Sequence, residues 1–198
     1  MEITTGNTLE AQQDDTLLIS RILGGQTGLF RQLASRYAGQ VLRMVARLIP
    51  SPEEAEEATQ DTLLEAFQSL ARFDARQASF PTWLMRIAYH MALKHYRKHQ
   101  LSVPMKEVAQ NWLNTISDDE TDALLDNTAP DRVSLLESAI TMLKPDDQML
   151  LNLYYFDNRS IREISSIMEH NESYLRSRLQ WIRKRLAIII KTLERNEE

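Results

Sequence analysis

The 198-residue sequence contains no cysteine. A disulfide framework, a thiolate metal site and a cysteine nucleophile are all excluded, and a reducing compartment is the natural setting. Glycine is nearly as scarce, since all five lie before residue 40. A remainder without positive-φ hinges disfavours a β-rich fold with many tight turns and favours helices. No apolar run approaches the roughly 18 residues of a membrane span, so no direct membrane insertion is expected. Residues 1–15 are polar and lack a cationic start followed by an apolar run, so no secretory signal is read and a cytoplasmic location is expected.

What is present is charge in blocks. The net charge is −5, yet Arg72–Lys106 holds seven Lys/Arg against one Asp, and Ser173–Lys191 holds six Lys/Arg and no acid. Conversely, Glu107–Asp131 carries seven acids and Ser51–Glu65 six, neither with a base. Two basic and two acidic blocks suggest two nucleic-acid surfaces, a linker and a separate acidic surface.

Periodicity sorts the chain into helices. Residues 1–13 are expected to be disordered. Asp14 or Asp15 can cap a short helix through Leu23, ended by Gly24-Gly25. A longer helix runs from about Thr27 to Ile49, until Pro50-Ser51-Pro52 breaks it. Ser51, Pro52 and Glu54 form an N-terminal capping pattern for the next helix, to about Leu70. On it Ala55, Ala58, Thr62, Phe67 and Leu70 can face inward, while Glu54, Glu57, Gln60, Asp61 and Glu65 stay outside. That acidic face is either a solvated surface or a docking surface for a basic partner.

After a loop at 71–79, a helix spans Phe80 to about His99. Phe80, Leu84, Ile87 and Met91 share one direction, and Trp83, Arg86, His90, Lys94 and Arg97 form a stripe beside it. An aromatic at the end of a cationic stripe, next to a loop holding Phe73, suits single-stranded nucleic acid; alternatively Trp83 closes the core edge. Leu101–Pro130 reads as a linker, its acids keeping it extended and solvated or masking a basic helix, with a short docked turn around Trp112. Asp131 or Ser134 opens a second helical domain, in which Leu135, Leu136, Ala139, Ile140 and Leu143 form one face. Asp146 starts a helix carrying Met149, Leu150, Leu153 and Tyr154, with Asn158 as a left-handed stop.

Ser160 then caps a short helix, followed by the tight turn Glu169-His170-Asn171 and a second, basic helix. On the latter, Leu175, Leu179, Ile182, Leu186 and Ile189 fall within about 40° of one direction. Ser173, Arg176, Ser177, Gln180, Arg183 and Lys184 lie opposite. Such a pair is the sequence form of a helix-turn-helix whose second helix reads a major groove, although a solvated amphipathic helix has the same pattern. The fold expected is all-α, with two small helical domains joined by an acidic linker, the second containing the helix-turn-helix.

Three stretches coincide in order. EEAEEATQDTLLEAF at 53–67 is similar to the core-polymerase-binding segment of bacterial sigma factors, and FPTWLMRIAYHMAL at 80–93 resembles their promoter-melting and −10-reading segment. LKPDDQMLLNLYYFDNRSIREI at 143–164, with YLRSRL at 174–179, looks like their −35-reading domain. The whole resembles the two-domain extracytoplasmic-function (ECF) group of the sigma-70 family, over about residues 14–100 and 132–192. The resemblance implies a region 2 domain at 14–100, a linker at 101–131 and a region 4 domain at 132–194. It implies a subunit without catalysis of its own and without a cofactor or metal.

Its implied partners are core RNA polymerase (the β′ coiled coil and the β flap), promoter DNA as duplex and as single strand, and an anti-sigma factor. Glu54, Glu57, Gln60, Asp61, Leu64 and Phe67 would grip the polymerase. Phe73, Trp83, Arg86, His90, Lys94, Arg97 and Lys98 would hold the melted −10 strand. Ser173, Arg176, Ser177 and Gln180 would face the −35 bases, with Arg178 and Arg183 near phosphates. Three positions depart from the family pattern. His90 stands where asparagine is usual, Glu169-His170-Asn171 replaces a Gly-apolar-Ser turn and implies a different turn conformation, and Trp181 takes an often cationic place. The competing readings are a helix-turn-helix activator without polymerase binding, a sigma-like adaptor that melts nothing, and an enzyme with His95 and His99 sharing a metal.

Overall fold

A computed structural model describes residues 14–99, 117–125 and 130–197. The expectations of disorder at 1–13 and of a docked turn around Trp112 lie outside the described residues. Among the described residues every regular element is a helix, and they make two compact units.

The first unit is built on residues 14–99 together with Arg162–Glu169. It comprises α1 (residues 14–23), a 3-10 turn at Thr27–Leu29, α2 (Phe30–Ala46), α3 (Pro52–Ser69), a second 3-10 turn at Leu70–Arg72, and α4 (Phe80–His99). The break between α2 and α3 follows from its residues. Pro52 fits the first helical position, the extended Ser51 accepts from the Glu54 amide at 3.3 Å, and Glu53 and Glu54 meet the positive end of the helix. Gly25 has φ 103°, a backbone only glycine adopts freely, and ends α1. α1 is tied to α2 by the buried Asp15, which accepts from Arg36 Nη1 at 2.5 Å and from the Tyr37 hydroxyl. Burial, then the Asp15 hydrogen bond, pushes the Tyr37 phenol well above its ordinary range.

Three helices share the core of this unit. Leu33, Val41, Met44 and Val45 come from α2, Ala55, Ala58 and Ala66 from α3, and Leu84, Met85, Ala88 and Ala92 from α4. The α3 alanines allow close approach, and its buried Thr59 and Thr62 donate to the carbonyls four residues back at 2.7 Å, so both hydroxyls are satisfied. α2 and α3 both pack on α4. This moves its buried face from the expected one. Phe80 and Leu84 are buried, but Ile87 and Met91 are only half-buried, and the face centres on Met85, Ala88 and Ala92.

The second unit contains α5 (Asp118–Leu125), α6 (Pro130–Thr141), α7 (Pro145–Leu151) and α9 (Glu172–Glu197). The expectation of an extended, solvated linker is corrected here, because Asp118–Leu125 is helical and packs on α9. The reason is local and electrostatic. Ser117 Oγ accepts from the Glu120 amide at 3.1 Å, and three acids occupy the first turn, where the helix dipole favours them. Three of the α5 carboxylates, while still partly solvated, meet cations of α9, as in the masking alternative.

The α9 stripe is buried as expected at Leu175, Leu179, Ile182, Leu186 and Ile189, in a unit whose core also holds Ala139, Leu143, Met149, Leu150 and Leu153. Each such large side chain contributes about 1.5–3 kcal/mol on burial. Gln148, also buried, donates to the Thr141 carbonyl at 3.3 Å, at the end of α6, and to the Leu143 carbonyl just beyond it at 2.9 Å. α7 widens into a π turn at Asn152–Phe156, where Leu153 is buried and Tyr154 is exposed. Asn158 is left-handed (φ 49°), the stop expected of it.

α8 (Ile161–Met168) and α9 are separated by Glu169–Asn171. Glu169 itself takes the left-handed backbone, φ 58°. The missing glycine is therefore replaced by a glutamate held in glycine's favoured conformation, and the turn keeps a left-handed residue. Asn171 caps α9, its Oδ1 accepting from the Tyr174 amide at 2.7 Å. Asn171→Ala is expected to lower the stability of the second unit by about 1 kcal/mol, the ordinary worth of an N-cap, seen as a reduced denaturant midpoint at unchanged slope.

Candidate nucleic-acid interface

On α9 the predicted residues divide into two sets. Ser173, Arg176, Ser177 and Gln180 are exposed, with Arg176 3.0 Å from Glu172 one turn earlier. They form an open polar patch at the N-terminal end of the helix, with groups able to address base edges. Arg178 and Arg183 are already engaged. The Arg178 guanidinium grips Asp147 through two parallel hydrogen bonds, at 2.7 and 2.8 Å, and lies 3.9 Å over the Trp181 ring. Burial disfavours its charge, but Asp147 more than offsets this and the pKa rises. Arg183 meets Asp122 of α5 at 2.5 Å.

Trp181 was expected only as a lost cation. It is the ring between Arg178 and the buried Arg185, whose guanidinium is 5.2 Å from its centroid. The spacing of three and four residues about Trp181 is a signal the sequence does carry.

On α4 the polar stripe is as laid out from the sequence. Arg86 is half-buried, and His90, Lys94, Arg97 and Lys98 are exposed. Trp83 sits differently. It is 7% exposed, with its ring 5.6 Å from Phe73 and 5.8 Å from Phe80, in a cluster that Tyr37 extends at 5.5 Å from Phe80. In this state it closes the core edge, the second of its two readings. The loop after Phe73 is folded around Asp74, which accepts from the Arg76 amide and guanidinium at 2.8–3.0 Å and from Gln77 at 3.2 Å. The Arg76 guanidinium and amide hold the Asp74 carboxyl far below the usual carboxylate range.

On α3, Glu57 and Gln60 are exposed, Glu54 is half-buried, and two apolar side chains continue the same face: Leu64, 54% exposed, and Phe67, whose ring is 5.0 Å from Phe30. An exposed acidic face running into exposed Leu and Phe is unlike a merely solvated helix. Asp61 is half-buried, 2.9 Å from Nε2 of the buried His95. That contact gives His95 a carboxylate partner within the fold. Among the described residues no group of three or more side chains could hold a metal, and no helix is long and apolar enough to cross a membrane.

Comparison with known proteins agrees with this geometry. Residues 33–101 match the family described as Sigma-70 region 2, and residues 134–186 match Sigma-70, region 4. The chain is 27% identical over 175 residues to the RNA polymerase sigma-H factor of Pseudomonas aeruginosa, covering 85% of this chain and 89% of that protein. It is 28% identical over 182 residues to the ECF RNA polymerase sigma-E factor of Escherichia coli K12, covering 86% and 91%. Two solved structures share the fold. CnrH, in complex with the cytosolic domain of CnrY, has a TM-score of 0.60 at 19% identity, covering 89% of this chain and 96% of that one. The sigma factor RpoE of Bartonella quintana, in complex with the anti-sigma factor NepR, has a TM-score of 0.55 at 18% identity, covering 82% and 96%.

The chain belongs to the sigma-70 family of RNA polymerase sigma factors, in its extracytoplasmic-function group. Its function is promoter-directed initiation of transcription.

Proposed function

We propose that the two units divide the work of initiation and that the chain performs no catalysis itself, adding promoter choice to core RNA polymerase in the cytoplasm. The first unit, as a region 2 domain at 14–100, docks through Glu54, Glu57, Gln60, Asp61, Leu64 and Phe67 of α3 on the β′ coiled coil. Its α4 stripe, Arg86, His90, Lys94, Arg97 and Lys98, takes the phosphates of the melted −10 strand, while Phe73 and Trp83 offer a ring to an unstacked base once their cluster opens. The second, as a region 4 domain at 132–194, reads the −35 duplex with Ser173, Arg176, Ser177 and Gln180, with Arg183 and Arg178 beside the backbone, and contacts the β flap. Because one structural neighbour is a sigma factor bound to an anti-sigma factor and another is bound to the cytosolic domain of a partner chain, a dedicated anti-sigma partner is proposed here too.

One observation carries this reading beyond family membership. A single helical unit presents both an acid-to-apolar face on α3 and a cationic stripe on α4. A helix-turn-helix activator acting on duplex alone requires neither, and an adaptor that melts nothing requires only the first.

The test is transcription in vitro with core enzyme on a library of upstream regions, where the chain is expected to produce specific starts. Gln60→Ala with Leu64→Ala is expected to weaken core binding roughly thirtyfold, the scale of a lost interface hot spot, without moving the unfolding midpoint, since both side chains are exposed. Asp61→Ala is the poorer probe, because it also strips His95 of its partner. Absence of any specific start from folded protein would sink the reading.

A further inference from the structure

The acidic helix α5 makes three ion pairs with α9, all within the second unit. Asp122 meets Arg183 at 2.5 Å, Asp118 meets Lys184 at 3.0 Å, and Glu120 meets Lys191. α5 rests on α9, with Thr121 buried on its inner side. At 100° per residue, Arg183, Lys184 and Lys191 fall with Arg176 and Gln180 in one arc of about 100°. The helix thus has one polar side in two halves. The N-terminal half, with Arg176 and Gln180, is open, and the C-terminal half has its cations matched by carboxylates.

We propose that α5 is a built-in competitor for DNA phosphate on α9. This rests on the reading of α9 as the −35 helix. Carboxylates and phosphodiester oxygens are both anionic acceptors for the same guanidinium and ammonium donors. While α5 is seated, three cations on the DNA-facing side are neutralised, so the sequence-independent attraction that brings duplex to the helix is quenched. The base-addressing groups stay exposed, so the free chain can touch base edges but has little phosphate grip. Displacement of α5 restores that grip. Arg183 is the residue on which both demands converge: it is predicted to lie near a phosphate and is occupied by Asp122. The contact is suited to exchange, since the charged groups of these pairs are partly solvated and each pair is individually weak.

The experiment uses the full-length chain and a short mixed-sequence duplex, so that it reads backbone attraction and not promoter sequence. Asp118→Asn, Glu120→Gln and Asp122→Asn together remove the charges and keep the side-chain shapes. A control triple, Glu56→Gln, Asp119→Asn and Glu137→Gln, removes three exposed carboxylates outside these pairs. The linker triple is expected to bind duplex about tenfold more tightly at low salt, with a log–log salt slope steeper by about one to three, while the control changes affinity less than twofold. Equal tightening by both triples, or no change in the linker triple, overturns the proposal. In the unaltered chain, amide-exchange protection over 118–125 is expected to fall when duplex is added, and protection that persists at saturating duplex overturns it as well. Failure of the −35 reading is distinguished separately, as unchanged initiation by holoenzyme carrying Arg176→Ala with Gln180→Ala.

Discussion

Asp147→Ala is expected to destabilise the second helical unit by about 3 kcal/mol. The Asp147 side chain is 4% exposed and accepts two hydrogen bonds from Arg178, which is 25% exposed. Removing one member of a buried pair leaves the other charge without compensation, which costs about 3–5 kcal/mol when burial is complete. Arg178 can still reach some water and keeps the Trp181 face, so the lower end applies. In a unit of this size the thermal midpoint should fall by roughly 10 °C.

Arg178→Ala should combine the defect of a lost phosphate contact with a loss of stability. Its DNA defect should shrink at temperatures where the variant is fully folded, because the pair ties α7 to α9. The double variant Asp147→Leu with Arg178→Met should recover much of the loss, since apolar replacement of a whole ion pair is often neutral or better. An unchanged midpoint in Asp147→Ala would show that the pair holds nothing together.

The same pair shows where sequence reading stops. The stripe from Leu175 to Ile189 was legible because a helix with one buried side must repeat its apolar residues at the helical period. The Ser51–Glu54 cap and the left-handed Asn158 were legible because their chemistry is local. Arg178, by contrast, has its partner 31 residues away, and no pattern along α9 separates a cation held by Asp147 from one left free. For Asp118, Glu120 and Asp122 the sequence leaves solvation and masking of a basic helix undivided for the same reason, their partners being at least 61 residues distant for the pairs to Arg183 and Lys191. Trp83 had two readings that periodicity could not divide, since an aromatic beside a core stripe looks alike whether its ring turns inward or outward. The shift of the α4 face toward Met85 and Ala92 has a further cause. With both α2 and α3 packed on it, α4 buries more of its circumference than a one-sided stripe describes.

Arg176→Ala with Gln180→Ala is expected to reduce initiation at promoters used by the unaltered chain by a hundredfold or more, while leaving folding and core binding intact. Each well-placed contact to a base pair contributes about 1–3 kcal/mol of discrimination, and two lost together span roughly two decades. Both side chains are exposed on the open half of α9, and the Arg176–Glu172 pair lies on the surface, where such pairs are worth about 0.3–0.5 kcal/mol. The loss should therefore be one of choice and not of stability. It should appear as relaxed preference at particular −35 positions across a promoter library. Arg183→Ala should instead weaken all sequences alike and flatten the log–log salt slope by about one. A double variant that lowered every promoter equally would move Arg176 and Gln180 from base reading to backbone contact.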